Sequence, residues 1–262
     1  MRLVITISQK AANDPGCAEE LARTLTLLVD DGHSVAIVLG QTCSPDDSIC
    51  ECGWNSNEAG QRSPARGTGH RTCEIMALAA AGRRLVVAMA KVGLTGIIFC
   101  ASDAGLTSTR KHYKDANHSI ATIAVAHSNS RWLEIVTSNK GIPIICNLYA
   151  CECEKGQLIE HNMMAAHCAL AWKASVLVYL VEDDGIRAAN GEIIRWLDIQ
   201  SGEVLTNNGA TTTETKDCLI ASTTAIKGGV GRVRLLPLSE MKSLASFFVE
   251  AVGHGTDVVL SR

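Results

Sequence analysis

The sequence predicts an α/β fold, a three-layer αβα sandwich around a mainly parallel central sheet. Three observations carry this. Short apolar runs of strand length alternate with longer stretches of helical periodicity along the chain. Two of those runs, SVAIVL at 34–39 and SVLVYLV at 175–181, are apolar throughout, as strands covered on both faces are. The chain has 262 residues, 47% of them hydrophobic, enough to bury a sizeable core without disulfides or a structural metal.

The elements follow in order. Leu3–Ile7 reads as a strand, and Pro15-Gly16 separates it from a helix at about Cys17–Asp31 with Leu21, Leu25, Leu28 and Val29 on one face. Asp31-Gly32 stops that helix, and Ser34–Leu39 completes a βαβ unit, right-handed by the usual rule. Gly40–Gly69 is rich in Ser, Asp, Asn, Gly and Pro and reads as a long loop or excursion. A helix follows at about Cys73–Val92, with Gly82 a possible interruption, then a strand at Gly96–Cys100. The polar segment Ser102–Ser119 leads to a strand at Ile120–His127, a helix at Ser130–Lys140 and a buried strand at Ile142–Asn147.

Cys151–Leu158 reads as a turn around Lys155-Gly156, and Asn162–Trp172 as a compact Ala-rich helix. After the strand Ser175–Val181, Asp184-Gly185 and Asn190-Gly191 are hairpin-type turn signals. Asn207–Thr215 is a Thr/Asn loop before a helix at Lys216–Lys227. A strand at Arg232–Leu236, a helix at Ser239–Val252 and a strand at Val258–Ser261 close the chain. Residues 1–150 are expected to form one lobe and 151–262 a second.

Charge and composition exclude several classes. With 24 Lys+Arg against 27 Asp+Glu there is no basic excess for nucleic acid. The longest apolar stretch, Leu85–Cys100, contains Lys91 and is shorter than the ~18 residues of a membrane span. The first residues run straight into a strand with no cleavage-site pattern, so a cytoplasmic protein with its 11 cysteines reduced is expected.

Several strings then acquire a common meaning. They are RLVITIS with AEELARTLTLLVDDGHSVAIVLG, Arg71-Thr72 with AAAGRRLVVAMAKVGLTGIIFCASDAG, NKGIPIICNL, VLVYLVEDDGIRAANGEII, AIKGGVGRVRLLPL and the terminal GTDVV. In this order over nearly the full length, the chain resembles the amino acid kinase family, and within it the N-acetylglutamate kinases. The resemblance implies transfer of the γ-phosphoryl group of ATP, with Mg²⁺, to a small carboxylate. It also implies a substrate lobe followed by a nucleotide lobe, and a homodimer paired through the first lobe. Such chemistry is mostly positioning and charge neutralisation, so it calls for backbone N–H cradles, lysines, and an acid to orient them.

The resemblance assigns the site residues. Arg71 matches the arginine that grips the substrate carboxylate, a task suited to a bidentate guanidinium. Gly40, Ser102 and Asn162 fall on the substrate side. Glu182, Asp184, Gly185 and Gly209 fall on the nucleotide side, and Lys216 is the loose counterpart of the late phosphate-facing lysine. The departures are as informative. The first-strand lysine position is Thr6, its two glycines are Ser8 and Gln9, and the acid before the Ala-rich helix is Met163. Lys10, on an extended segment, and Glu160, at the helix start, are the candidates to replace the lost groups.

Two other readings stay open. One is a non-catalytic ligand- or nucleotide-binding regulatory homologue. The other is a metal- or redox-responsive protein on the same scaffold, suggested by Cys50-Glu51-Cys52, Cys151-Glu152-Cys153, His161 and His167. The one-residue spacing of those cysteine pairs is shorter than zinc sites generally use, so no metal site is assigned.

Overall fold

The computed structural model describes residues 1–40, 68–103, 106–111, 123–149, 157–158, 160–188, 190–207, 213–246 and 254–260. An eight-stranded sheet forms the middle layer. Its strands are β1 (Arg2–Ser8), β2 (Ser34–Gly40), β3 (Thr95–Cys100), β6 (Gly141–Cys146), β9 (Val176–Val181), β10 (Trp196–Asp198), β11 (Arg232–Pro237) and β12 (Thr256–Val259), in the spatial order β10-β12-β11-β9-β1-β2-β6-β3. Six strands from β11 to β3 run parallel, and β12 lies antiparallel to β11 with β10 beside it. Two small pairs stand apart: β4 (Thr107–Lys111) with β5 (Ile123–Ser128), and β7 (Leu148–Tyr149) with β8 (Gln157–Leu158).

Alternation along β1 builds both cores at once. Leu3, Ile5 and Ile7 face one layer, which holds α1 (Gln9–Asn13), α2 (Pro15–Asp30), α3 (Thr68–Lys91) and a 3₁₀ segment at Leu238–Leu244. Val4 faces the other, which holds α4 (Arg131–Ser138), α5 (His161–Ala171), α6 (Ile199–Asn207) and α7 (Thr213–Lys227). β6 and β9 are buried at every position, which their unbroken apolar runs require. Helix α2 starts where Asp14 accepts the Cys17 N–H at 2.6 Å with Pro15 in the first turn, and Gly32 (φ +77°) follows its end.

Several sequence expectations need correction. Gln9–Asn13 is helical rather than extended, because the Ser8 hydroxyl caps it. α3 is unbroken at Gly82; that glycine lets the helix come close to the sheet, where a β-carbon would lie 3.3 Å from Ile98 Cδ1. The polar segment 102–119 contains β4, held by pairing with β5 rather than by apolar side chains. β10 and α6 went unread, since three residues and a short helix carry little periodicity. The helix expected over 239–252 is 3₁₀ at Leu238–Leu244, and 247–253 fall outside the described residues. The excursion at 41–67, the turn at 150–156 and both Cys-x-Cys pairs also fall outside them. Among the described residues, no helix is long and apolar enough to cross a membrane.

Candidate active site

Open parallel sheets bind ligands outside the carboxyl ends of their strands, where the strand order reverses. Here β1 pairs with β2 on one side and with β9 on the other, so the reversal lies between β1 and β9. Ser8 ends β1, and its hydroxyl accepts the Ala11 N–H at 3.1 Å. The helix this starts turns Lys10 toward the end of β9. Lys10 Nζ lies 3.0 Å from each carboxylate oxygen of Glu182, so two residues assigned separately meet across the reversal. The side chains are 80% and 48% exposed, so the pair contributes only about 0–1 kcal/mol. With Asp14, Glu20 and Met241 they wall a pocket of about 480 Å³.

A second cluster, outside the lining of that pocket, is built by the start of α5. Glu160 caps it: Oε1 accepts the Asn162 N–H at 2.8 Å and Oε2 the Met163 N–H at 2.5 Å. A carboxylate suits this position, where helix N–H groups lack partners and the dipole is positive. His161 comes next and lies over Gly40 at the end of β2. A β-carbon on Gly40 would fall 2.1 Å from His161 Cβ and 2.2 Å from its Cγ, so only glycine fits. Asn162 is buried, and its carbonyl accepts the Tyr179 hydroxyl at 3.2 Å. Gly40, Glu160 and Asn162 thus come together at this point of the fold, with His161 and Tyr179 beside them.

This cluster is electrostatically distinctive. Burial pushes the Glu160 carboxyl up to about 7, against the pull of its two backbone donors, and the Asp217 charge pushes the same way. Burial also raises Asp217, which the neighbouring Lys216 opposes. Burial lowers His161 to about 4, so its imidazole is neutral at physiological pH, with Nδ1 3.6 Å from Glu160 Oε1. Perturbed groups gathered in one cluster at the strand ends mark a candidate site. Asp217 was missed in the sequence, and His161 was noted only beside the Cys-x-Cys pairs. The adjacency of Lys216-Asp217 at a helix start was the only local signal for the first, and nothing local marks the second.

The remaining assigned residues lie elsewhere or outside view. Lys216 is on the exposed face of α7, beside Ile220, Thr223, Thr224 and Lys227. Asp184 pairs with Arg187 at 2.8 Å, and Gly185 (φ +124°) folds their turn onto Gly255 and Thr256 at the start of β12. Ser102 is half-buried after β3, next to Asp103, whose carboxylate accepts the Cys100 N–H at 2.7 Å. Arg71 lies on α3, but its side chain, like Gly209, is outside the described residues. Thr6 and Met163, which the resemblance sets where a lysine and an acid were expected, have structural duties. Thr6 is 2% exposed within the sheet, between Val38 and Tyr179, and Met163 packs against the α4–α7 core. Among the described residues, no three His, Cys, Asp or Glu side chains are arranged to hold a metal ion.

Comparison with known proteins decides the relationship. The amino acid kinase family matches the chain over residues 1–236. The chain belongs to the amino acid kinase family. It is 29% identical over 263 aligned positions to an acetylglutamate kinase of Acidobacterium capsulatum, covering 100% of both chains. It is 27% identical to an acetylglutamate kinase of Koribacter versatilis, covering 99% of each. Among solved structures, an N-acetylglutamate synthase from Neisseria gonorrhoeae superimposes with a TM-score of 0.79 at 18% identity. This chain is covered completely in that comparison but spans only 60% of the synthase. A carbamate kinase from Giardia superimposes with a TM-score of 0.71 at 12% identity, covering 99% of both. At these identities the structural likenesses speak for the shared kinase fold alone, and the full-length relatives for acetylglutamate kinase-like kinship.

Proposed function

We propose that this chain is an acetylglutamate kinase-type protein that binds a small carboxylate and a nucleotide at the β1/β9 crevice, with a largely degenerate phosphoryl-transfer set. One observation carries the reading: Thr6 and Met163, which the resemblance sets at the family's first lysine and orienting acid, are respectively built into the sheet and packed on the core. The nearest replacements are engaged. Lys10 is matched by Glu182, and Glu160 directs both oxygens at helix N–H groups. The described residues therefore do not fit a Mg²⁺ ion at the start of α5. Loss of one charge-stabilising group typically removes about 3–4 kcal/mol of transition-state stabilisation, so losing two brings transfer close to background.

The second reading, an active kinase using Lys10, Lys216 and Glu160, is favoured by the full-length relatives named acetylglutamate kinase. Calorimetric titration with ATP–Mg²⁺, with and without N-acetylglutamate, followed by an ADP-release assay on the same sample, separates the two. Binding without release is expected. Release that depends on N-acetylglutamate establishes the active kinase instead, and no binding of either compound defeats both. The resemblance further suggests a cytoplasmic homodimer paired through residues 1–150, with neither nucleic acid nor membrane as partner. Sedimentation velocity tests the dimer.

A further inference from the structure

The substrate-side edge of the sheet ends in two cysteines that face each other. Cys100 closes β3, Cys146 closes β6, and the two are direct partners in the parallel register. They point the same way. Ile98, Ile144 and Cys146 all belong to the core beneath α1–α3, and Cys100 is two positions beyond Ile98. Neighbouring strands lie about 4.7–4.9 Å apart, inside the roughly 4.4–6.8 Å between α-carbons that a disulfide requires. Helix α3 passes over the pair at Gly82, where a β-carbon would stand 3.7 Å from Cys146 Sγ. Cys146 is 3% exposed, whereas Cys100 is partly open to solvent.

We propose that Cys100 and Cys146 form a vicinal dithiol that closes to an intramolecular disulfide by exchange with a small disulfide of the glutathione class. Cys100, the accessible member, attacks one sulfur of the external disulfide. The external S–S bond breaks, a mixed disulfide forms on Cys100, and one small thiol leaves carrying the proton Cys100 lost. Cys146 then attacks the Cys100 sulfur, forming Cys100–Cys146 and releasing the second small thiol with the proton from Cys146. The two cysteine sulfurs are oxidised by two electrons in total, and the external disulfide is reduced by two. The new bond ties together the ends of β3 and β6, two residues before Ser102 and one before Asn147. Dithiol chemistry would thereby bear on the substrate-side rim, whether or not the chain transfers phosphate.

The attacking species is the thiolate. Burial pushes Cys146 up to about 12 and raises Cys100, and the Asp103 carboxylate acts in the same direction on both. The exchange is therefore slow at neutral pH and accelerates as pH rises.

The test uses the full native chain with oxidised glutathione, quenched by alkylation, digested with trypsin and read by mass spectrometry. The expected product joins peptide 92–110 to peptide 141–155 with the loss of two hydrogens. It should form several-fold faster at pH 8.5 than at pH 7 and revert with dithiothreitol. The second peptide also holds Cys151 and Cys153, so fragmentation must place the bond at Cys146. The product should persist in Cys151→Ser/Cys153→Ser and disappear in Cys146→Ala. A bond from Cys100 to Cys151 or Cys153 overturns the proposal. So does a glutathione adduct on Cys100 that never resolves, or a link formed only in denaturant.

Discussion

Two parts of the candidate site near the β1/β9 reversal are made differently. One is an exposed ion pair, Lys10–Glu182, in which opposite charges meet in water. The other is a largely buried cluster in which Glu160, His161 and Asn162 are fitted to helix N–H groups, to Gly40 and to Tyr179. Water screens the first and little depends on it. The second is part of the packing, so its side chains are set by the fold and their ionisation is coupled to it.

The strongest way to break this contrast is Gly40→Ala. The added carbon collides with a side chain rooted on α5, and a loss of about 3 kcal/mol is expected in urea denaturation. Removing the obstacle in Gly40→Ala/His161→Gly should recover at least half of that loss. Additive losses in the double variant would show that His161 does not set the glycine requirement.

Ionisation sharpens the contrast next. Folding raises Glu160 from 4.5 to about 7, so its contribution is complete below pH 4.5 and is lost as pH rises through about 7. Folding lowers His161 from 6.5 to about 4, so its contribution is complete above pH 6.5 and is lost as pH falls through about 4. Between pH 4.5 and 6.5 the two slopes oppose. Relative to the parent chain, His161→Asn should lose stability as pH rises through this window. Glu160→Gln should gain it. Denaturation midpoints at four pH values decide, and identical slopes in both variants would uncouple the cluster from folding.

Smaller effects follow. Glu160→Ala removes two acceptors from the α5 terminus and should cost about 1 kcal/mol at pH 7. Lys10→Met should change stability by less than about 0.5 kcal/mol, and 0.5 M salt should erase the difference. A larger loss, equal to that of Glu160→Ala, would make the ion pair and the α5 cluster alike.

Much of this architecture was legible in the sequence. Strands β6 and β9 announce themselves because strands buried on both faces carry unbroken apolar runs, and β1, β2 and β11 through runs interrupted inside only by Thr6 in β1 and Arg234 in β11. Helix α2 carries both its periodicity and its stop signals. Segments held by pairing or capping did not show. β4 has the sequence TSTRK and depends on β5, and α1 depends on a single serine hydroxyl. The candidate site was legible as residue types and family positions, but their roles were not. Glu160 read mainly as a helix start, with a replacement acid as the other reading, and it caps α5.

The sequence by itself determined the alternation of elements, the two-sided burial of the sheet and the family. Only the tertiary structure decided who meets whom. Lys10 and Glu182 are 172 positions apart, Gly40 accommodates His161, and Cys100 faces Cys146. Hydrophobic periodicity is a local property of consecutive residues, and it fixes which face of an element is buried. Neighbourhood at the strand ends depends on strand order and register, which arise when distant elements share one core.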